Sequence, residues 1–196
     1  MLKPAAPTIR LEQGLPPLSV YIHVPWCVRK CPYCDFNSHA MTGELPEEQY
    51  LQALEQDLVM TLPQIWGRPI HTVFIGGGTP SLLSAQAMER IMMMLRNLLN
   101  IAPDTEVTLE ANPGTVEAQR FKDYASVGIN RISLGVQSFD DEALRRLGRI
   151  HDSEQAKKAI AMAQAAVTRV NIDLMYALPA QSLEQCRVDI YTALGF

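Results

Sequence analysis

The sequence predicts an α/β fold, a partial (β/α) barrel in which about five βα units are present and the barrel is incomplete. Short apolar runs rich in β-branched residues alternate along the chain with helical patterns, which is typical of a parallel sheet covered by helices. A complete eightfold barrel needs about 250 residues. The chain has 196 residues, so we expect a truncated barrel that binds ligands at the carboxyl ends of its strands.

Residues 1–17 differ in character from the rest of the chain. They hold four of the 13 prolines and show no hydrophobic periodicity. We therefore expect a flexible leader over residues 1–17 and one core domain over residues 18–196, from which a C-terminal region is absent.

Five segments have the character of buried strands, because they are short, rich in apolar and β-branched residues, and bounded by Gly, Pro or Asn. They are LSVYIHV (18–24), IHTVFI (70–75), TEVTLEA (105–111), NRISLGV (130–136) and RVNIDLM (169–175). The last of them is expected at an edge of the sheet.

Helical spacing of apolar residues marks the segments between the strands. The first two helices are indicated by Leu51, Leu54, Leu58 and Leu62, and by Met88, Ile91, Met92, Leu95 and Leu99. Pro46 suits the first turn of the first helix, and Ser84 suits the N-cap of the second.

The later helices are predicted in the same way. Val116, Phe121 and Tyr124 precede Gly128, which is expected to end a third helix. Ser153 is expected to cap a helix that runs through Ala165. In the last helix Cys186 recurs with Leu183 and Ile190, so we expect these three residues to form its buried face.

The composition is that of a globular domain, with 47% hydrophobic and 19% charged residues. A net charge of −4 lacks the basic footprint of nucleic-acid binding, so we expect no nucleic-acid partner. The sequence has neither a signal-peptide apolar region nor an apolar run of about 18 residues, and we expect a cytoplasmic protein. Clustered cysteines in that reducing compartment bind metal or do chemistry more often than they form disulfides.

Three of the four cysteines lie in the stretch PWCVRKCPYCDF (25–36), directly after the first predicted strand. On a helix, Cys27, Cys31 and Cys34 would share one face, and a stripe of small core side chains is one interpretation. Pro32 would interrupt such a helix. We therefore favour a loop at the carboxyl end of the strand, where sites form in parallel sheets.

Two kinds of metal site remain for these thiols. Structural zinc needs a fourth ligand, which only His23, Asp35 or His39 could supply from awkward positions. Thiolates also favour iron-sulfur clusters, in which four cysteines usually bind four irons. Three cysteines would leave one iron open, and such a cluster has a free coordination site for a small molecule.

The spacing C-x3-C-x2-C after a first strand is accompanied by five sequence blocks in a fixed order. They are YIHVPWCVRKCPYCDFNSH (21–39), FIGGGTPSLL (74–83), LEANPGT (109–115), NRISLGVQSFDDEALRRLGRIH (130–151) and NIDLMYALP (171–179). Together they resemble the radical S-adenosylmethionine (radical SAM) superfamily, and within it the oxygen-independent coproporphyrinogen III oxidases and their relatives. The resemblance implies a radical SAM barrel and a 4Fe-4S cluster on the three cysteines. The amino and carboxylate groups of S-adenosylmethionine would chelate its open iron.

One position separates the branches of this family. The oxidases carry a further cysteine two residues after the third, whereas the heme chaperones of the HemW type carry phenylalanine there. This chain has Phe36, so it resembles the heme chaperones, which bind heme as cargo and hand it to an acceptor protein. The alternative is coproporphyrinogen III oxidation, so the resemblance leaves the enzyme question open while favouring a chaperone.

The same resemblance bears on partners and on the heme site. It implies an acceptor protein as partner, with a membrane involved at most through that acceptor. The family's C-terminal region, which is implicated in heme handling, is absent from this sequence, so the resemblance assigns no heme-binding residue.

Nine further positions match cofactor-pocket residues of the family. They are Tyr21, Tyr33, Gly77, Gly78, Thr79, Glu110, Gln137, Arg149 and Asp173. The resemblance places the Gly-Gly-Thr segment against the methionine end of S-adenosylmethionine, Tyr21 near the cluster and Tyr33 beside the adenine.

The residue types themselves are compatible with these roles. A triple glycine exceeds what a strand-to-helix turn requires and allows close approach to the backbone. Glu110, Gln137 and Asp173 are polar where neighbouring strand residues are apolar, and a planar arginine such as Arg149 suits a carboxylate. Each also has a purely structural interpretation, namely a tight turn, a paired acid, a core aromatic residue or an arginine at a helix end.

Overall fold

The computed structural model describes residues 14–65, 67–115 and 118–196. Most of the predicted leader over residues 1–17 therefore lies outside the described residues, as does Val116. None of the helices described is both long and apolar enough to cross a membrane.

The described strands and helices alternate as the sequence predicts. In chain order the strands are β1 (Leu18–Val24), β2 (Trp26–Cys27), β3 (His39–Ala40), β4 (Pro69–Gly77), β5 (Asn100–Ala111), β6 (Arg131–Gln137) and β7 (Arg169–Leu174). The helices are α1 (Glu47–Ile65), α2 (Ala85–Leu98), α3 (Ala118–Ser126), α4 (Asp141–Arg146), α5 (Ser153–Ala166) and α6 (Leu183–Leu194). All five predicted strands are confirmed, and β5 begins five residues earlier than predicted because its first residues pair with the start of β4.

Five of the described strands form one parallel sheet in the order β1-β4-β5-β6-β7, and no closed barrel occurs among the described residues. Spatial order equals chain order, so the carboxyl ends of all five strands lie along one edge. The strand β7 stands at one side of the sheet and pairs with β6. The partial α/β barrel predicted from the sequence is thus confirmed.

Hydrogen bonds join the first turn of α1 to the N-cap of α2. Ser84 is the N-cap of α2, as predicted, and its hydroxyl accepts the N–H of Ala87 at 3.0 Å. The carboxylate of Glu47, in the first turn of α1, accepts from both the N–H and the hydroxyl of Ser84. Pro46 directly precedes α1, and its carbonyl accepts the N–H of Tyr50.

Of two helix boundaries predicted near the middle of the chain, one is confirmed and one is wrong. Gly128 follows the end of α3 with a φ of 110°, a conformation that favours glycine, and the predicted stop is confirmed. The predicted cap at Ser153 is wrong by one residue. Asp152 is the N-cap of α5, because its side chain accepts the N–H of Gln155 and the Gln155 side chain returns the bond.

The prediction for the buried face of α6 is wrong. Leu183 and Ile190 are exposed and Cys186 is half-buried, whereas Asp189 is the fully buried residue of this helix. A pattern of apolar residues indicates burial only where another element covers that face. The side of α6 that meets the described protein carries a carboxylate.

Candidate functional site

The carboxyl ends of the strands open into a cavity of about 300 Å³, a size within the usual range of small-molecule sites. Eleven of the twelve predicted site residues line it. They are Cys27, Cys31, Cys34, Tyr33, Gly77, Gly78, Thr79, Glu110, Gln137, Arg149 and Asp173. The fold therefore gathers residues that are up to 146 positions apart in the chain around one space.

The cysteine loop is built around the short strand pair β2–β3, which the sequence did not reveal. The N–H of His39 donates to the carbonyl of Pro25 at 2.7 Å, and the N–H of Met41 donates to that of Cys27 at 2.8 Å. Lys30 closes the loop, since its ammonium group donates to the carbonyls of Phe36 and Ser38. These hydrogen bonds hold the loop on a fixed path.

The three thiols are arranged as free ligands. Cys27 is buried, Cys31 and Cys34 are half-buried, and none is in a disulfide. In the described part of the chain, no three His, Cys, Asp or Glu side chains converge as ligands of a single metal ion. All three thiols line the cavity, where they could act as ligands of an iron-sulfur cluster.

The glycine turn after β4 is bonded directly to the first two strands. Gly78 donates its N–H to the carbonyl of Val24, and Thr79 donates its N–H to that of Trp26, both at 2.7 Å. The φ of Gly77 is 117°, and its N–H donates to the Glu110 carboxylate at 2.9 Å. The turn thus fixes the start of the cysteine loop and one carboxylate of the cavity.

Two carboxyl groups face the cavity from the sheet. Burial raises the pKa of Glu110, and the negative charge of Asp173 raises it further, against the N–H of Gly77. Burial also raises the pKa of Asp173, although it accepts hydrogen bonds from Ser133 at 3.1 Å and from Asn171 at 2.6 Å. A cation in the cavity would relieve the cost of holding these two charges.

Arg149 connects the strand ends to the cysteine loop. Its guanidinium donates to the carbonyl of Gly135 at 2.6 Å, and it lies 3.5 Å from the Tyr33 hydroxyl and 3.7 Å from the Cys31 sulfur. Its Nε is buried and has no hydrogen-bond partner in the described residues. Burial raises the pKa of Tyr33, while the nearby Arg149 charge acts against this. Arg149 lines the cavity, where the charge of its guanidinium could meet an anionic group of a ligand.

Tyr21 is the predicted site residue that does not line this cavity. Its side chain is 58% exposed, and its hydroxyl lies 3.0 Å from Nδ1 of His23. Burial and the Glu110 charge raise the pKa of Tyr21. His23 reaches the cysteine loop through the carbonyl of Asn37, 2.7 Å from its Nε2. Tyr21 therefore contacts the site through His23 in this structure.

Several lining residues were not predicted from the sequence. They are Arg29, Phe36, Ser38, Pro80, Ala111, Asn112, Ser133 and Gly135. Ser133 could have been found from strand alternation, because it lies two residues before Gly135 and beside Glu110 in the β5–β6 register. Ser38 is buried within 3.9 Å of the Cys34 sulfur, a contact that depends on the loop path and has no signal in the sequence.

His151 is buried two residues after Arg149. One ring nitrogen lies 3.0 Å from the carbonyl of Val136, and the other has no partner in the described residues. Burial lowers the pKa of His151 to about 4, with the Arg149 charge adding to this and Asp152 opposing it. The imidazole is therefore neutral in the folded protein near neutral pH.

This histidine predicts a pH dependence of stability. The unfolded chain takes up a proton on His151 as the pH falls below its ordinary pKa of 6.5, whereas the folded protein resists protonation down to about 4. We therefore expect His151 to cost about 1–2 kcal/mol of the free energy of unfolding between neutral pH and about pH 5. Chemical unfolding of wild type and His151→Gln at both pH values measures the difference. Equal pH slopes in the two proteins would contradict the prediction.

A parallel α/β sheet carries free thiols and a glycine turn at its carboxyl edge, an arrangement suited to a protein that binds a metallocofactor beside a small molecule. The Radical SAM superfamily matches this chain over residues 21–190. The chain belongs to that superfamily, as its sequence blocks predicted, and membership implies a 4Fe-4S cluster and S-adenosylmethionine.

Similar proteins include curated relatives from several bacteria. The chain is 56% identical over 181 residues to the heme chaperone HemW of Escherichia coli K12, covering 92% of this chain and 48% of the relative. It is 51% identical to the heme chaperone HemW of Haemophilus influenzae, with coverage of 92% and 48%. The chain thus spans about half the length of the curated relatives it matches.

Solved structures agree with the fold. The coproporphyrinogen III oxidase HemN of Escherichia coli, described as a radical SAM enzyme, superposes with a TM-score of 0.83 at 33% identity, covering 91% of this chain and 42% of that one. The radical S-adenosylmethionine methyltransferase TsrM of Kitasatospora setae superposes with a TM-score of 0.62 at 12% identity, covering 91% and 34%. The second likeness concerns the fold alone.

Proposed function

We propose that this chain carries the cluster- and cofactor-binding core of a radical SAM heme chaperone, which binds heme and hands it to an acceptor protein. The observation that carries the proposal is Phe36. It lines the cavity next to the third cysteine, where the resemblance places a further cysteine in the oxidases. The relatives named as heme chaperones support the same assignment.

The donors in the cavity suit the two cofactors of the superfamily. Cys27, Cys31 and Cys34 would hold a 4Fe-4S cluster, which supplies redox-active iron with one coordination site open to S-adenosylmethionine. Glu110 and the backbone of the glycine turn would bind the amino group of that molecule. Arg149, whose guanidinium lines the cavity, would bind its carboxylate.

The remaining pocket residues would hold the nucleoside part. Asp173, with Gln137, would bind hydroxyl or amide groups, since both are polar residues at the ends of adjacent strands. Tyr33 would lie beside the adenine, and Tyr21 would act near the cluster through His23.

The proposal extends to partner and location. The acceptor would be a heme-requiring protein, and a membrane would be involved only through that acceptor. We propose no nucleic-acid partner, in keeping with the net charge of −4. The protein would work in the cytoplasm, where an oxygen-sensitive cluster and free thiols persist. Heme is its cargo.

Heme transfer is the direct test of the chaperone. The full product of the gene, loaded with heme under anaerobic conditions, should pass heme to a heme-free respiratory acceptor, seen as the acceptor's absorption spectrum. An equimolar heme solution without protein serves as the control. Transfer no faster than from free heme would overturn the proposal.

We expect S-adenosylmethionine to change the electron paramagnetic resonance spectrum of the reduced cluster. Three protein thiolates leave one iron free, so the amino and carboxylate groups of the cofactor would alter that iron's coordination. The spectrum is recorded with and without saturating S-adenosylmethionine. An unchanged spectrum would count against the open site.

The second candidate function is oxidation of coproporphyrinogen III, which the likeness to the HemN structure favours. We expect no decarboxylation of coproporphyrinogen III by the full gene product with reductant and S-adenosylmethionine, because Phe36 replaces the oxidase cysteine. Product formation is followed by chromatography, with a known oxidase as the positive control. Turnover would move the assignment to the oxidases.

A further inference from the structure

The turn between β6 and α4, residues 137–140, has a backbone that needs outside support. Gln137 ends β6 with a φ of 71°, in the left-handed region that residues other than glycine seldom adopt. The pairing of β6 with β7 is irregular between Gly135 and Gln137. Such a conformation costs about 1 kcal/mol or more and persists only when its surroundings fix it.

This conformation sets the direction of the Gln137 side chain. A Cβ atom placed on Gly135 would lie 2.9 Å from Nε2 of Gln137 and 3.5 Å from Nη2 of Arg149. The glutamine amide therefore folds back over Gly135 toward the cavity, beside the arginine. An ordinary extended backbone at position 137 would turn the amide away from this place.

A buried carboxylate holds the turn from the other side. Asp189 of α6 is 4% exposed. It accepts the Ser138 hydroxyl on one oxygen and the Phe139 N–H on the other, both at 2.7 Å. The two residues that directly follow Gln137 are thus bonded to one side chain 50 residues further along the chain.

Other contacts complete this attachment. Met175 donates its N–H to the carbonyl of Gln137 at 2.9 Å, and the Ser138 oxygen accepts the N–H of Asp140 at 3.0 Å. The ring of Phe139 stacks with that of Phe196 at 6.2 Å. Among the described residues, however, only Asp189 satisfies a backbone and a side-chain donor of the turn together. Hydrogen bonds to a charged group are the stronger kind, and breaking them leaves buried donors unpaired.

We propose that Asp189 is a positioning residue for the cofactor pocket, which it serves by fixing the left-handed turn that aims Gln137 into the cavity. The inference rests on the proposed binding of S-adenosylmethionine in this cavity. It makes α6 part of the binding apparatus, although no residue of that helix lines the cavity.

Asp189→Asn tests the proposal, because asparagine has the same size and keeps only one oxygen acceptor. We expect S-adenosylmethionine to bind about tenfold more weakly, as measured by titrating the electron paramagnetic resonance change of the reduced cluster. Glu184→Gln is the matched control, since Glu184 is an exposed acid on the same helix. The iron content of both variants should equal that of wild type, and an unchanged affinity in Asp189→Asn would overturn the proposal.

A double variant separates positioning from general stability. If Asp189 acts through Gln137, adding Asp189→Asn to Gln137→Ala should weaken binding less than about twofold further. A full additional loss would show that Asp189 acts by another route. Should Asp189→Asn unfold, Ser138→Ala removes one of the two bonds to Asp189, together with the acceptor of the Asp140 N–H. Unchanged binding in that variant would also overturn the proposal.

A readout without ligand distinguishes this proposal from the proposed function. Amide hydrogen exchange at Phe139 should be faster in Asp189→Asn than in wild type and Glu184→Gln. Wild type that holds its cluster but does not bind S-adenosylmethionine would contradict the proposed function. Unchanged exchange at Phe139 would contradict the role of Asp189, whatever the ligand.

Discussion

Replacing any one of Cys27, Cys31 and Cys34 by alanine should abolish the 4Fe-4S cluster, whereas Cys186→Ala should retain it. The three thiols line one cavity at the end of β1. Cys186 lies on α6 and is not among the lining residues. Iron and sulfide after anaerobic reconstitution should fall from about four per chain to near zero in the three variants.

Cys186→Ala is the matched control in this series, since it also removes one free thiol. Loss of the cluster in Cys186→Ala, together with its retention in Cys31→Ala, would contradict the assignment of the cysteine loop as the cluster site. A zinc ion bound in place of iron after anaerobic preparation would show that the cysteines form a structural zinc site.

Gly78→Ala should disrupt the same site although it leaves all three cysteines in place. A Cβ at position 78 would lie 2.6 Å from the carbonyl oxygen of Trp26 and 3.0 Å from the backbone carbon of Pro25. Backbone at such distances cannot move aside cheaply, and it carries Cys27. We expect a loss of about 2–4 kcal/mol in the free energy of unfolding, together with poor cluster incorporation.

Gly43→Ala is the control for this change. Gly43 has a φ of 86° and no heavy atom within 4 Å of an added Cβ. Alanine there should cost only about 1 kcal/mol through backbone strain. Unfolding in denaturant and iron content measure both variants. Equal losses in the two would show that close packing at Gly78 is not what constrains it.

The sheet was predictable because its signals are local. Each of the five strands is a β-branched run bounded by breakers, and the structure places all five in chain order. The candidate site followed from sequence blocks at the ends of those runs. Parallel strands bring their carboxyl ends together, so residues such as Glu110 and Asp173 had to meet once the strands were known.

Features that depend on long-range contacts were not predictable. The pairing of β2 with β3 involves two residues on each side and has no sequence period. Asp189 was hidden within an apolar pattern on α6, because only the folded chain shows which face meets the 137–140 turn. The cap at Asp152 was missed since two adjacent residues, Asp152 and Ser153, are both good caps.

The hydrogen bonds that the glycine turn already makes determine which charge on a ligand it can bind. Phosphate-binding loops work because several free N–H groups converge on the anion. Here the N–H groups of Gly77, Gly78 and Thr79 already donate to Glu110, Val24 and Trp26. The polar groups that this wall of the cavity, the glycine turn, can still present to a ligand are oxygen atoms. The Glu110 carboxylate adds to the negative potential there. ATP shares the adenosine group of S-adenosylmethionine but carries a polyphosphate, and this wall would repel it while attracting an ammonium or sulfonium centre. A glycine-rich turn that elsewhere selects nucleotides would here discriminate against them.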